Sequence, residues 1–180
     1  MAAISAADVK KLRDLTGAGM MDCKKALAQA DGDFAGAEKI LKEMGLAAVA
    51  KRQDRATDNG RVFVASNGKK VVMLSLSCET DFVAKNDDFK KLGEDLCSTI
   101  LEKGYTEPND ELKGMVDALI AIIKENMNLV SFSVTDIPEN GYCASYVHGD
   151  GAVAVSVILK ADNASAFEAD SVKEFAHDLA

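Results

Sequence analysis

The sequence predicts an α+β protein in which a helical N-terminal part is followed by strands that pair in antiparallel fashion. Apolar residues at helical spacing fill residues 5–44. From residue 60 the composition changes to strand-forming residues, and two pairs of apolar segments each flank a short turn that contains glycine. Tight turns join antiparallel strands, and the second pair repeats the order of the first. We therefore expect a three-helix N-terminal module followed by a duplicated ββα-type core with antiparallel sheets.

The first predicted helix begins after Ser5, which can cap it, while Asp8 supplies the acid of a shorter relative of the capping box. The apolar residues expected on its buried face are Val9, Leu12 and Leu15. Residues 16–19, Thr-Gly-Ala-Gly, end this helix.

Two further helices are predicted, at residues 21–30 and 34–44, separated by the turn Asp-Gly-Asp at 31–33. Gly45 is expected to close the third helix, and residues 46–55 are able to continue helically. A bundle of this size is marginal by itself and is typical of a recognition module.

The core begins with a predicted hairpin. Strands at residues 61–65 and 70–76 flank a turn that contains Asn67-Gly68, and this dipeptide is the strongest short-range hairpin signal. Helices are expected at 87–101 and 109–125, and a further strand at 128–134. On the first of these helices the apolar stripe is Phe89, Leu92, Leu96 and Ile100.

The same order then recurs, with strands at 141–147 and 152–159, a turn at 149–151 and a helix from residue 171. At an offset of 83 residues, the pairs that align are Phe89 with Val172, Leu92 with Phe175, and Leu96 with Leu179. We interpret this as an internal duplication. The domains predicted are 1–55, 56–140 and 141–180, the last one incomplete, because its helix is cut short at Ala180; the chain is expected to be a fragment.

Composition and charge exclude several classes of function. Residues 1–55 carry a net charge of +2 and the remainder −10, which sum to the chain's −8, and an acidic body argues against direct binding of nucleic acid. The four cysteines form no CxxC pair, so neither a metal site nor a cofactor is expected. The sequence shows no membrane span or leader, and free thiols then indicate the cytoplasm.

The segment Asp81-Phe82 follows an apolar strand, and two interpretations are open. A carboxylate beside an aromatic residue at the end of a strand suits docking into another protein. Alternatively, Asp81 caps the next helix and Phe82 packs under it, which residue types alone favour.

No enzyme motif is present, and we expect a non-enzyme with no catalytic residues. Cys78 lies beside an acid that disfavours its thiolate, and His148 lacks an evident nucleophile, so a histidine in a turn or interface is favoured. Met20 and Met21 suit a binding edge, although Met20 fits the bundle core equally well. Lys10, Lys11, Arg13, Lys24 and Lys25 either form one basic face for an acidic partner or are simply solvated.

Three motifs then match a known family. Residues 9–27, VKKLRDLTGAGMMDCKKAL, closely resemble the N-terminal signature of the elongation factor Ts family. Residues 80–86, TDFVAKN, are similar to its second signature, and residues 146–149, YVHG, before an apolar strand, are similar to its third. The resemblance runs in order over essentially the whole chain.

This resemblance implies a guanine-nucleotide exchange factor for elongation factor Tu, a GTPase of translation. It also implies a ubiquitin-associated-like (UBA-like) N-terminal module and a core of two repeated subdomains. Phe82 would wedge between helices of the GTPase, and Asp81 would help disturb the groups that hold its Mg²⁺. The residues that the resemblance assigns to partner binding are Arg13, Met20, Met21, Lys24, Thr80, Asp81, Phe82, Val83, Asn126 and His148.

The chain also departs from the family. Lys124 stands where the family's Gly-Glu-Asn triplet usually begins, and residues 127–132 contain no arginine, so only Asn126 carries over as a contact from this motif. A helical hairpin insertion and a C-terminal module of longer members have no counterpart here. We therefore expect binding to persist but exchange to be weaker than in a full-length relative. Nothing in the sequence excludes a homo-oligomer.

Two other classes remain open at this stage. The rival to an exchange factor is a pure binding module that uses the three helices as an adaptor, with the core as a spacer. Adaptors of this kind rarely pair such helices with a TDFV-bearing hairpin. An enzyme would require a nucleophile and a base close together near Cys78 or His148.

Overall fold

The computed structural model describes residues 4–180, and over this range it combines α-helices with antiparallel strands, as predicted. The helices are α1 Ala6–Thr16, α2 Met20–Gln29, α3 Phe34–Ala50, α4 Asp81–Ala84, α5 Asp87–Lys103, α6 Asp110–Ile123 and α7 Asp170–Leu179. The strands are β1 Asn59–Ser66, β2 Lys70–Cys78, β3 Met127–Asp136, β4 Gly141–His148 and β5 Val153–Lys160. Within residues 4–180, no helix is both long and apolar enough to cross a bilayer.

The chain packs as two compact units. The N-terminal unit combines Met1–Arg55, of which residues 4–55 are described, with Asp117–Asn126, and the core unit combines Ala56–Val116 with Met127–Ala180. The three-domain division predicted from the sequence stays a prediction.

In the N-terminal unit, the predicted capping box on α1 is confirmed. The Ser5 side chain accepts a hydrogen bond from the backbone N–H of Asp8, and the Asp8 carboxylate accepts one from the backbone N–H of Ser5. Three helices enclose a core of Val9, Leu12, Cys23, Ala26, Leu27 and Ala37. Leu15 was expected on this face, but it is 62% exposed. Thr16 instead lies half-buried one turn after Leu12, and its hydroxyl donates a hydrogen bond to the carbonyl oxygen of Leu12.

Gly45 does not end α3, contrary to the prediction; the helix continues to Ala50. The glycine is buried, and a Cβ at this position would lie 2.9 Å from the Cβ of Ala121. Its small size therefore permits α3 and the second half of α6 to approach closely inside this unit.

In the core unit, β1, β2 and β3 form one antiparallel sheet with β2 in the centre. The predicted hairpin is confirmed: Ser66 pairs with Val71, and Gly68 at φ 80° makes the turn. The side-chain oxygen of Asn67 accepts hydrogen bonds from the backbone N–H groups of Lys69 and Lys70. Helix α5 packs on β1 and β2, and its predicted apolar stripe of Phe89, Leu92, Leu96 and Ile100 is buried.

The second sheet contains only β4 and β5, joined by a 3₁₀ turn at Gly149–Gly151, and α7 packs against both strands. The aligned residues of α7 are not buried as their counterparts are, since Phe175 is 55% and Leu179 49% exposed. The fully buried residue is Ala176, which aligns with the buried Gly93 of α5. Phe175 and Leu179 thus do not repeat the burial of Leu92 and Leu96, because the two-stranded sheet leaves most of this helix in solvent.

Candidate partner-binding surface

Phe82 lies on the single helical turn α4, at the end of the central strand β2. Thr80 caps this turn, as its side-chain oxygen accepts a hydrogen bond from the backbone N–H of Val83 at 3.3 Å. Val83 and Ala84 are buried beneath the turn, so the residues on its other side face solvent. Phe82 is 82% exposed, the most exposed of the large apolar side chains described.

The second interpretation of this segment is therefore wrong. The N-cap is Thr80 and not Asp81, because the extended backbone of Thr80 (φ −125°, ψ 155°) leaves its hydroxyl over the first turn. Phe82 does not pack under the helix, because Val83 and Ala84 already occupy the inward positions.

Asp81 is exposed and paired with Lys85, whose Nζ lies 2.9 Å from its carboxylate Oδ2. The hydrogen bond and the positive charge of Lys85 hold the pKa of Asp81 below its ordinary value, and Asp81 in turn raises the pKa of Lys85. A charged carboxylate therefore accompanies the exposed aromatic ring at neutral pH.

Arg61, on β1, connects α4 with the turn between β4 and β5. Its Nη1 donates a hydrogen bond to the carbonyl oxygen of Ala84 at 3.3 Å, and its Nη2 lies 3.8 Å from Oδ1 of Asp150. Sequence reasoning missed this residue. The only signal was an arginine in a strand whose neighbours are apolar, and that pattern does not say what the guanidinium meets.

His148 ends β4 just before this turn, and it is exposed. Its ring Nδ1 shares a hydrogen bond with the hydroxyl of Tyr146 at 2.9 Å. Tyr146, Val147 and Val153 around it are 44–55% exposed. The structure thus brings the predicted site residues Phe82 and His148 into one unit, linked through Arg61.

In the N-terminal unit, four predicted site residues lie at the end of α1 and on α2: Arg13, Met20, Met21 and Lys24. All are exposed, Met20 by 55% and Met21 by 64%. The alternative that Met20 packs in the bundle core is wrong, because Cys23, Ala26 and Leu27 form the buried face of α2 and Met20 projects from its first position. Leu15 adds to the exposed apolar area of this unit.

The basic side chains of these helices are exposed, as a solvated or partner-facing surface requires. One of them also makes an internal contact: Nζ of Lys11 lies 5.1 Å from the ring centroid of Phe34.

Two residues that the resemblance assigns to the partner surface are buried. Val83 is 7% exposed and packs beneath α4. Asn126 is 1% exposed, and its side-chain amide donates hydrogen bonds to the carbonyl oxygens of Gln53 and Arg55. Neither side chain is therefore part of an exposed surface in this structure.

Lys124, at the position where the resemblance implies a glycine, adopts φ 68° at the end of α6. Glycine adopts this left-handed conformation without strain, whereas a side chain costs about 1 kcal/mol or more. Lys124 gains an ion pair in return, since its Nζ lies 2.6 Å from the carboxylate of Asp22.

Two of the four cysteines, Cys78 and Cys97, are buried in surroundings that disfavour a reactive thiolate. The Sγ of Cys78 is buried and donates to the carbonyl oxygen of Thr80, and burial with Glu94 nearby raises the pKa of Cys97 to about 12. Over residues 4–180, no three His, Cys, Asp or Glu side chains gather as metal ligands would.

Exposed aromatic and sulfur-containing side chains flanked by charges are typical of a protein-recognition surface. Comparison with known proteins shows which family the chain belongs to. The sequence profile described as "Elongation factor TS" matches residues 79–180, more than half of the chain. The chain belongs to the elongation factor Ts family.

Individual relatives extend the match over almost the whole chain. The elongation factor Ts of Treponema denticola is 48% identical over 175 residues, which cover 97% of this chain and 62% of the relative. That of Clostridium acetobutylicum is 43% identical, covering 98% and 60%, and that of Borrelia garinii subsp. bavariensis is 44% identical, covering 100% and 65%. The chain thus spans 60–65% of the length of these relatives.

Proposed function

We propose that this chain acts in translation elongation as a guanine-nucleotide exchange factor for elongation factor Tu, promoting GDP release by disturbing the Mg²⁺ and phosphate site of that GTPase. The observation that carries the proposal is the exposure of Phe82 on a turn that Thr80 caps and that packs on the core through its buried residues Val83 and Ala84. A large apolar side chain held in water by its own scaffold gains free energy only when a partner covers it.

The negative charge beside Phe82 fits the same role. The nucleotide phosphates of a GTPase are held by Mg²⁺ and backbone amides. A carboxylate such as Asp81, brought next to these groups, competes for the cation and for the amide donors. Lys85 keeps Asp81 charged, and Thr80 fixes the turn that presents it.

Phe82 cannot supply the whole effect. To favour the nucleotide-free GTPase ten-thousandfold, an exchange factor needs about 5.5 kcal/mol of differential affinity. A buried phenylalanine contributes about 1.5–3 kcal/mol. The second exposed surface, at Met20, Met21, Arg13 and Lys24, is the proposed source of further binding energy, together with His148.

The finer assignments belong to the same proposal. The three N-terminal helices are of the UBA-like type, and the two hairpin–helix segments of the core descend from one duplicated ββα unit. The chain acts in the cytoplasm and is not an enzyme in its own right, because exchange makes and breaks no covalent bond.

The test is the release of fluorescent GDP from elongation factor Tu, measured by stopped flow with increasing concentrations of this chain. Acceleration is expected, and Phe82→Ala should lower it by about tenfold or more, as the burial energy of the ring implies. The matched control is Val130→Ala, which shortens an apolar side chain that is 60% exposed on β3 and lies outside the proposed surface.

An equal loss with Val130→Ala would refute the specific role of Phe82, and no acceleration by the folded chain would refute exchange activity. Retained binding of the GTPase in a pull-down would then favour the adaptor class. A full-length relative should accelerate GDP release from elongation factor Tu more than this chain does. Equal acceleration would refute the expectation that the shorter chain is the weaker factor.

A further inference from the structure

The side chain of Arg61 is only 13% exposed, although arginine is rarely buried unless its charge is satisfied. Its two terminal nitrogens reach elements that are far apart in sequence. One donates to the carbonyl oxygen of Ala84, at the end of α4, and the other faces Asp150, in the turn after β4. The guanidinium therefore joins the segment that carries Phe82 to the segment that follows His148.

On the α4 side, the bond to Ala84 compensates for the shortness of the helix. A single turn of four residues does not persist by its own hydrogen bonds, and the last carbonyl groups of a helix lack partners within it. Arg61 supplies a charge-assisted donor to one of these carbonyls, two residues beyond Phe82. The direction in which Phe82 points thus depends on this anchor.

On the other side, the turn at 149–151 lies directly over Arg61. All three residues have positive φ, and Gly151 (φ 94°) is buried. A Cβ on Gly151 would lie 2.9 Å from Nε of Arg61 and 3.3 Å from the carbonyl oxygen of Val62. Glycine therefore permits a contact between the turn and Arg61 that fixes the position of the preceding His148.

We infer that Arg61 is a positioning residue, which holds Phe82 and His148 in one arrangement for the GTPase without contacting the GTPase itself. The inference rests on the proposed function, which supplies the partner. Asp150 is 87% exposed, so its ion pair contributes little, and the bond to Ala84 with the packing of Gly151 carries the effect.

A double-mutant cycle on GDP release separates positioning from general stability. Arg61→Met keeps the length and the apolar stem of the side chain but removes the guanidinium. Alone it should lower the accelerated rate by about tenfold. Added to Phe82→Ala it should lower the rate by at most about a further twofold, because His148 is then the only one of the two residues left to position.

The control cycle combines Arg61→Met with Met20→Ala, in the other unit, and there the two losses should multiply. Arg61→Lys, which keeps the charge but cannot bond both elements as a fork, should fall between wild type and Arg61→Met. Multiplying losses for the Arg61–Phe82 pair would overturn the inference, since a purely destabilising substitution acts equally with or without the ring.

A second measurement needs no GTPase. The backbone N–H groups of Lys85 and Ala152 bond to the carbonyls of Asp81 and His148 and report on α4 and the turn. In Arg61→Met, both should exchange with solvent about tenfold faster, while amides of α1 and α2 stay unchanged. Unchanged exchange at both amides overturns the inference whatever the GTPase assay gives. If hydrogen exchange is faster in Arg61→Met but the wild-type chain does not accelerate GDP release from the GTPase, only the proposed function is refuted.

Discussion

The two hairpin–helix segments of the core have the same order of elements but use their aromatic residues in opposite ways. In the first, β1 and β2 lead into the single turn α4 and then α5. In the second, β4 and β5 lead into a 3₁₀ turn, Ala164–Phe167, and then α7. The two turns align at the same offset of 83 residues as the helices.

The first turn exposes its phenylalanine, whereas the second turn uses one internally. Phe82 is 82% exposed, while the ring of Phe167 stacks on Tyr142 with centroids 5.7 Å apart. The long helices differ in the reverse sense, because α5 buries its apolar stripe and α7 exposes most of its own. A common order of elements therefore does not fix which side chains are buried; the neighbouring elements decide this, and only the first hairpin has a third strand beside it.

The largest expected effect compares the same substitution at two aligned positions. Leu96→Ala removes a fully buried side chain and should lower the free energy of unfolding by about 2–5 kcal/mol. Leu179→Ala acts on a side chain that is 49% exposed and should cost less than about 1 kcal/mol. Urea denaturation of both variants measures the difference. Similar losses would mean that α7 is buried in solution as α5 is.

A smaller effect is expected when the aromatic residues of the two turns are compared. Phe167→Ala loses the stacked contact with Tyr142 and part of the buried area, and should lower the free energy of unfolding by about 1–2 kcal/mol. Phe82→Ala should change it by less than about 0.5 kcal/mol, because the ring is in solvent. A marked loss of stability in Phe82→Ala would show that the ring packs internally and would contradict its role on the surface.

The smallest effect concerns the ion pair of α4, which has no counterpart in the Ala-Ser-Ala-Phe sequence of the second turn. The pKa of Asp81 is lowered in the folded protein by Lys85, so the pair stabilises the fold above the unfolded pKa of about 3.9 and is lost as pH falls through the folded pKa. Asp81→Asn should therefore shift the urea midpoint slightly at pH 7, and not at pH 2.

The background for this pH comparison is Lys85→Gln, in which the lysine charge is absent. There, Asp81→Asn should have the same small effect at both pH values. A pH-dependent difference that survives in Lys85→Gln would assign the stabilisation to another group.

Local patterns predicted the order and type of the elements well. The capping box at Ser5, the Asn67-Gly68 hairpin and the stripe on α5 depend on residues close in sequence, and all are confirmed. The errors concern which side chains are buried, and several of them depend on contacts between distant segments. Gly45 is indistinguishable from a helix stop until Ala121 is placed against it.

The site divides in the same way. The motifs indicated Phe82, Met20 and His148 as candidate site residues, and the structure shows them exposed; the exposure of Phe82 depends on Val83 and Ala84 taking the inward positions. The burial of Asn126 could not be predicted, because its partners lie 71 and 73 residues earlier in the chain. Arg61 was missed for the same reason, since Ala84 and Asp150 are near it only in space.

The contribution of residues 117–126 to the N-terminal unit has a consequence for synthesis on the ribosome. The chain emerges from its N-terminus, and domains generally fold as they appear. Here the carbonyls of Gln53 and Arg55 cannot bond to Asn126, and Gly45 cannot pack against Ala121, until those later residues have been synthesised. Although its three helices are made first, this unit reaches its final packing only after the first hairpin and α5 have been translated.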